Sequence, residues 1–298
     1  MVGLIGAAPR GVLVVDKPGG MTSHDVVQQL RKKLRTREIG HSGTLDPMAT
    51  GILVVCIGEG TKLVPYLTAA EKGYDATIAL GTGTATLDAE GEVTETKEVP
   101  ADWQDRLQAG IDVERARTSQ VPPSFSAIRV DGVRSHVLAR RGEAVEHAAR
   151  DVRVTSMEVR SRTVDPPTLH VLLDVSKGYY VRSLARDLAT SLGTVGHLTA
   201  LRRTRSGCFS LADACPLTDE RITEHLLSLE IAAARALPVA QLTAKGRVDA
   251  FEGRPIALAD LSNPTAIGPC AWFDETGTLV AIGAIEASGR GQVLRGFR

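Results

Sequence analysis

The chain has 298 residues, 43% hydrophobic and 23% charged, an ordinary globular composition with length enough for two domains rather than one. No run approaches the roughly 18 consecutive apolar residues of a membrane helix, and the brief apolar start from Met1 to Pro9 has no charged region before it, so neither a membrane span nor a secretory leader is expected. Lys+Arg 35 and Asp+Glu 35 cancel, and the four cysteines (Cys56, Cys208, Cys215, Cys270) are too scattered for a disulfide framework or zinc site, so reduced thiols in a cytoplasmic protein are expected.

In chain order, Gly11 to Val15 is a short apolar run closed by Lys17-Pro18-Gly19-Gly20, which predicts a buried strand and a turn. Thr22 with Asp25 has the spacing of a capping box, and Val27, Leu30 and Leu34 then recur at helical period. That helix carries Arg31, Lys32 and Lys33 on its outer face, with Arg35 and Arg37 just beyond. Gly40 to Pro47 reads as a loop, Gly51 to Ile57 as a second buried strand, and Tyr74 to Leu80 as a third. A Gly/Thr-rich turn region and an acidic stretch from Thr84 to Thr118 follow. Leu169, Val171, Leu173 and Val175 alternate along a half-buried strand, which leads through Lys177-Gly178-Tyr179-Tyr180 into a helix stopped by Gly193. Ala232 to Pro238 reads as a helix end and linker. Beyond it Gly253, Pro255, Pro264, Gly268, Pro269, Gly277 and Gly283 punctuate short apolar runs such as Leu279 to Ile282, the texture of a small all-β appendix. Helices and strands alternate without a regular βαβ period, so the expected class is α+β.

The charge is segregated. Arg31 to Arg37 is basic, and so is Lys177 to Arg205, where Lys177, Arg182, Arg186, Arg202, Arg203 and Arg205 face only Asp187. Such segregation lets a neutral molecule hold a phosphate backbone on one face. Either run alone reads equally well as the solvated face of a helix.

Pro47 pushes Asp46 out of helical conformation, and Gly43 and Gly51 permit sharp turns on either side. By these rules alone Asp46 is a turn former or cap as readily as a reactive carboxylate. The whole segment Gly40-His-Ser-Gly-Thr-Leu-Asp-Pro-Met-Ala-Thr-Gly-Ile52, however, resembles the catalytic loop of the TruB family of pseudouridine synthases. The resemblance runs in order through Asp16-Lys17-Pro18, Gly20-Met-Thr-Ser23, Gly60-Thr-Lys62, Lys72-Gly73-Tyr74, the Thr84 to Gly91 segment, Val121 to Ala127, Ser176 to Arg182 and Leu201-Arg-Arg203. It spans roughly Gly11 to Phe209.

The resemblance implies a mixed, largely antiparallel catalytic sheet over 1–237, with an RNA-clamping insertion at about 121–153 and a small β-rich, PUA-like RNA-binding domain at 238–298. Phe125, Arg129 and His136 depart from the family's usual residues in the clamp while keeping stacking and charge. The implied reaction isomerises uridine to pseudouridine in the T-loop of tRNA, at position 55 in tRNA numbering, after the base is flipped out. It calls for no cofactor or metal, because one carboxylate can act as nucleophile or as base at the ribose. That role falls to Asp46, with Arg182 as the guanidinium that aims it and Tyr74 as the aromatic over the uracil. His41 is implied to fill the vacated stack and Leu201 to wall the base. Lys17, Lys62 and Tyr180 are implied as pocket or phosphate contacts. The expected partner is the tRNA T-arm, with no membrane and no obligate protein partner. A non-catalytic RNA-binding protein on the same scaffold is the rival, and a synthase for other RNA a second one. Since the catalytic motifs end by Phe209, the tail is expected to add RNA contacts only.

Overall fold

The computed structural model describes residues 9–143, 145–263 and 268–298. The apolar start up to Ala8 and the turn residue Pro264 lie outside them. The first strand, β1 (Gly11–Lys17), is buried along nearly its whole length, as its unbroken apolar run requires. Helix α1 (Ser23–Leu34) starts on a capping box in which Thr22 accepts from the Asp25 amide and Asp25 accepts from the Thr22 amide. Part of the expected loop is a strand, since β2 (Ile39–His41) pairs antiparallel with β3 (Thr50–Ile57). Then come β4 (Lys72–Leu80) and α2 (Trp103–Arg115), a helix inside the acidic stretch that buries Trp103, Leu107, Ile111 and Glu114 at helical spacing.

The main sheet is completed by β5 (Val154–Val164), β6 (Pro167–Val175), β7 (Gly196–Ser206) and β8 (Cys215–Pro216), in the order β5-β6-β4-β7-β3-β1-β8. The pairs β3–β7 and β1–β8 are parallel and the others along this path antiparallel, which agrees with the expected mixed, largely antiparallel sheet. Helix α3 (Val181–Ser191) packs one face of this sheet with α1 and α2, through Leu184, Leu188, Leu30, Leu107 and Ile111. The stretch expected as a clamp projects outward as a small hairpin, Arg129–Val130 with Val133–Arg134, and a short helix, Ser135–Arg140.

The opposite face of the sheet is covered too. Helix α4 (Leu229–Ala236) leads into a second sheet built from β9 (Val239–Leu242), β10 (Ile256–Ala257), β11 (Leu261–Ser262), β12 (Cys270–Phe273), β13 (Leu279–Ile285) and β14 (Arg290–Gly296). Its order is β10-β14-β13-β12-β9-β11, and Trp272 lies at the centre of its own small core. One further cluster joins the two sheets: Val12, Val14, Ile52 and Val54 of the first pack with α4 and with Phe273, Leu279, Ile282 and Phe297 of the second. The tail therefore has a packing role, because it keeps water off the back of the main sheet. Among the described residues no helix is long and apolar enough to cross a membrane.

Candidate active site

The loop between β2 and β3 is fixed from three sides. Below it, the Ser23 hydroxyl accepts from the Leu45 amide at 2.8 Å and donates to the Leu45 carbonyl at 3.2 Å, tying the loop to the start of α1. The Gly20 amide donates to the Pro47 carbonyl at 2.9 Å. From β7, the buried Arg203 donates to the carbonyls of Ile52 (2.6 Å), Gly43 (3.1 Å) and Thr44 (3.4 Å). Gly51 has φ of +92°, and a β-carbon there would fall 2.3 Å from the Arg203 carbonyl oxygen, so only glycine lets β3 and β7 approach this closely.

Asp46 stands on this support. Arg182, the second residue of α3, donates from Nε to Asp46 Oδ2 at 2.8 Å and from Nη2 to Oδ1 at 3.0 Å, a bidentate pair. The guanidinium is itself clamped, with Nη1 on the Thr86 carbonyl at 2.8 Å and Nη2 on the Phe125 carbonyl at 2.9 Å. Asp88 lies behind it at 3.7 Å, itself held by Thr86 and the Glu90 amide. The Arg182 side chain is 5% exposed and that of Asp46 31%, so the cation is sealed in and the carboxylate looks outward.

It looks into two cavities that meet at this pair. The first, about 260 Å³, is walled by Tyr74, Leu201, Val181, Tyr180 and the cations Lys72, Lys177 and Arg203. That is slightly below the ~300–1,000 Å³ of sites for drug-sized ligands, which suits one small ring system. The second, about 570 Å³, lies against the segment of the short helix Ser135–Arg140 and is lined by His24, His41, Phe125, Arg134, His136 and Glu90 among others. Burial and the nearby Arg203 push the His41 imidazole below its ordinary value, so it is neutral at physiological pH. Burial pushes the Tyr180 phenol up, which keeps it an uncharged wall.

Asp46 and Arg182 thus border both cavities, with Tyr74, Tyr180 and Leu201 in the first and His41 in the second. Two lysines expected there line neither. Lys17 is buried under the loop and donates to the carbonyls of Met21 (2.6 Å), Pro18 (2.9 Å) and Pro47 (3.2 Å), so it props the loop from below. Burial brings its ammonium down to about 8. Lys62 faces the tail: it pairs with Glu59, donates to the Gly296 carbonyl at 2.8 Å and lies over the Phe297 ring. The basic run ending at Arg205 is also largely spent internally, Arg202 on Asp16, Arg205 on Asp174 and Arg186 on Asp187. The sequence reading gave no positional role to Arg203 or Lys72. The available signal for Arg203 was its place two residues after Leu201, on the same buried face of β7.

Residues 31–181 match the TruB family pseudouridylate synthase N-terminal domain, and residues 182–233 the tRNA pseudouridylate synthase B C-terminal domain. The chain is 46% identical over 276 residues to "tRNA pseudouridine synthase B" of Corynebacterium aurimucosum, covering 91% of each chain. It is 46% identical over 256 residues to the protein of that name from Mycobacterium sp. (strain KMS), covering 84% of this chain and 86% of that one. With the one from Dinoroseobacter shibae the figures are 41% over 292 residues, 95% and 93%. Among solved structures, the "Crystal Structure of a Cbf5-Nop10-Gar1 Complex" shares the fold, with a TM-score of 0.73 at 24% identity, over 97% of this chain and 84% of that one. The outward-facing carboxylate on its guanidinium, the sheet that carries both, and these likenesses agree: the chain belongs to the TruB family of pseudouridylate synthases.

Proposed function

We propose that this protein isomerises uridine to pseudouridine in tRNA, at the T-loop uridine at position 55 (tRNA numbering), with Asp46 as the reacting carboxylate. The observation that carries the reading is the bidentate Asp46–Arg182 pair at the mouth of a pocket walled by Tyr74 and Leu201. A uracil seated against those two side chains brings its ribose to the carboxylate. There Asp46 attacks C1′ as a nucleophile or removes the C2′ proton as a base; either route frees the base to turn and rejoin through C5. A stacked uridine reaches this pocket only when flipped, and the neighbouring cavity with His41 gives the displaced stack a place to be replaced by a ring. The projecting segment around Arg129 to Arg140 is read as the clamp over the RNA, and the second sheet, 238–298, as a PUA-like unit that extends the RNA surface. A cytoplasmic setting suits both the substrate and the unpaired thiols of Cys56, Cys208, Cys215 and Cys270.

The test is tritium release from 5-tritiated uridine in a T-arm stem-loop transcript and in full-length tRNA. Release of one tritium equivalent per RNA, from the uridine at position 55, is expected. Tight binding with no release from either RNA would leave only a binding function.

A further inference from the structure

The smaller pocket holds more positive charge than its carboxylate balances. Its charged lining is Lys72, Lys177, Arg182 and Arg203 against Asp46 alone. Arg182 is committed to Asp46 and Lys177 is exposed, but Lys72 and Arg203 are only 6% and 1% exposed. Among the described residues neither makes a salt bridge. Lys72 Nζ donates to the carbonyls of Thr68 (2.7 Å) and Ala70, and Arg203 to those of Ile52, Gly43 and Thr44. Both crowd the same loop residue, since a β-carbon on Gly43 would lie 3.7 Å from Arg203 Nη1 and 3.8 Å from Lys72 Cε.

Two buried cations that meet only neutral oxygens are costly. Burial, then Arg203, Lys177 and Arg205, bring the Lys72 ammonium down to about 8. Among the described residues no carboxylate pairs with either cation, and Asp46 is taken by Arg182, so the counter-charge belongs to what the pocket receives. A target nucleotide offers two anions, its phosphate and its detached base. The walls favour the base: Tyr74, Val181 and Leu201 suit a planar ring, whereas a phosphate keeps its water at an exposed rim.

We propose that Lys72 and Arg203 stabilise the negative charge on the uracil while it is detached from the ribose. This rests on the pseudouridine-forming reading above. When C1′–N1 breaks, its electron pair stays on N1 and spreads to O2 and O4. When C5–C1′ forms, the delocalised pair makes the new bond and Asp46 is released, from its C1′ ester or by returning the C2′ proton; the C5–H pair then returns to the ring as C5 loses its proton and N1 gains one, so no net proton or electron is exchanged. The negative charge exists only between these two events. Fixed cations therefore favour that interval over both uridine and pseudouridine, which speeds the reaction without tightening binding.

The experiment compares the parent, Lys72→Met and Lys72→Arg in single-turnover reactions at saturating enzyme. The substrates are T-arm stem-loops with uridine or 5-fluorouridine at the target, followed by nuclease digestion and chromatography. Fluorine withdraws electrons and already stabilises the detached base. Lys72→Met should slow uridine conversion about 10-fold or more, slow loss of 5-fluorouridine at least ~3-fold less, and leave RNA affinity within about 3-fold. Lys72→Arg should recover most of the uridine rate. Equal slowing of both substrates would make Lys72 a structural prop and overturn the proposal. So would lost affinity with an unchanged saturated rate, which would mark a phosphate site. If Lys72→Met melts early by circular dichroism, the same two rates are read on Lys72→Gln. A parent enzyme that converts no uridine would instead sink the underlying functional reading.

Discussion

Arg182 spends its guanidinium on four oxygens: two of Asp46, one of Thr86 and one of Phe125. Only a planar fork fits that set, so lysine, with the same charge and a point-like head, leaves Asp46 unaimed. Arg182→Lys and Tyr74→Phe should each lower the single-turnover rate at least about 10-fold while changing RNA affinity much less. Parent-like rates in both variants would remove these residues from the site. Lys72 gives a second residue-scale prediction, with a definite sign. Its folded value of about 8 lies below its ordinary 10.5, so between these values the unfolded chain binds more protons and stability rises with pH. Below pH 8 the full cost of the buried charge is present. Urea unfolding of the parent should therefore gain on Lys72→Met, by roughly 3 kcal/mol, between pH 7 and 10.5. A constant difference would show that Lys72 is not buried as a cation. Asp46, Tyr74 and Arg182, which the resemblance placed together through the Gly40 to Ile52 loop, Lys72-Gly73-Tyr74 and the Ser176 to Arg182 segment, line one pocket. Lys17 and Lys62 do not line either cavity, because a lysine's sequence position does not tell whether its ammonium meets a ligand, carbonyls or a neighbouring sheet.

At the scale of elements, the site depends on how closely β3 and β7 run. Gly51→Ala sets a methyl 2.3 Å from the Arg203 carbonyl on a backbone with φ of +92°, and the strand pair carrying the loop must part. The expected cost is roughly 2 kcal/mol or more, together with a loss of turnover. Gly132→Ala, at φ of +82° with nothing within 4 Å, carries backbone strain alone and should cost only about 1 kcal/mol. Equal melting temperatures for the two variants would contradict this close approach. The elements bounded by caps and apolar runs (β1, α1, β3, β6 and α3) were legible, since each is specified by its own residues. Helix α2 was passed over because its acidic surface masks the spacing of Trp103, Leu107 and Ile111. The edge strand β5 is largely exposed and shows little of the alternation a sequence can reveal.

For the whole molecule, the tail is joined to the catalytic sheet through a shared core, so removing it should disturb that sheet's packing. Deletion from Pro238 onward would uncover Val12, Val14, Ile52 and Val54 from one side. The truncated chain should melt earlier and aggregate, and its turnover should fall on a short T-arm stem-loop as well as on full-length tRNA. A truncated enzyme that melts like the parent and keeps full single-turnover activity on the stem-loop would make the tail separable after all. Shared cores of this kind escape a sequence reading because the apolar runs on each side are equally explained by two separate cores. Charge shows the same limit: the basic run up to Arg205 reads equally as a phosphate-holding or a solvated face, but its arginines find acids far off in sequence, at Asp16 and Asp174.

All these scales converge on Asp46, and the most direct measurement replaces its carboxylate with a near-isosteric amide. Asp46→Asn should keep the loop supports from Ser23, Lys17 and Arg203, and so bind a T-arm stem-loop within several-fold of the parent. In a single-turnover tritium-release assay the account predicts no release above background from this variant and complete release from the parent. Release from Asp46→Asn at a rate near that of the parent would contradict the assignment of Asp46 as the reacting group.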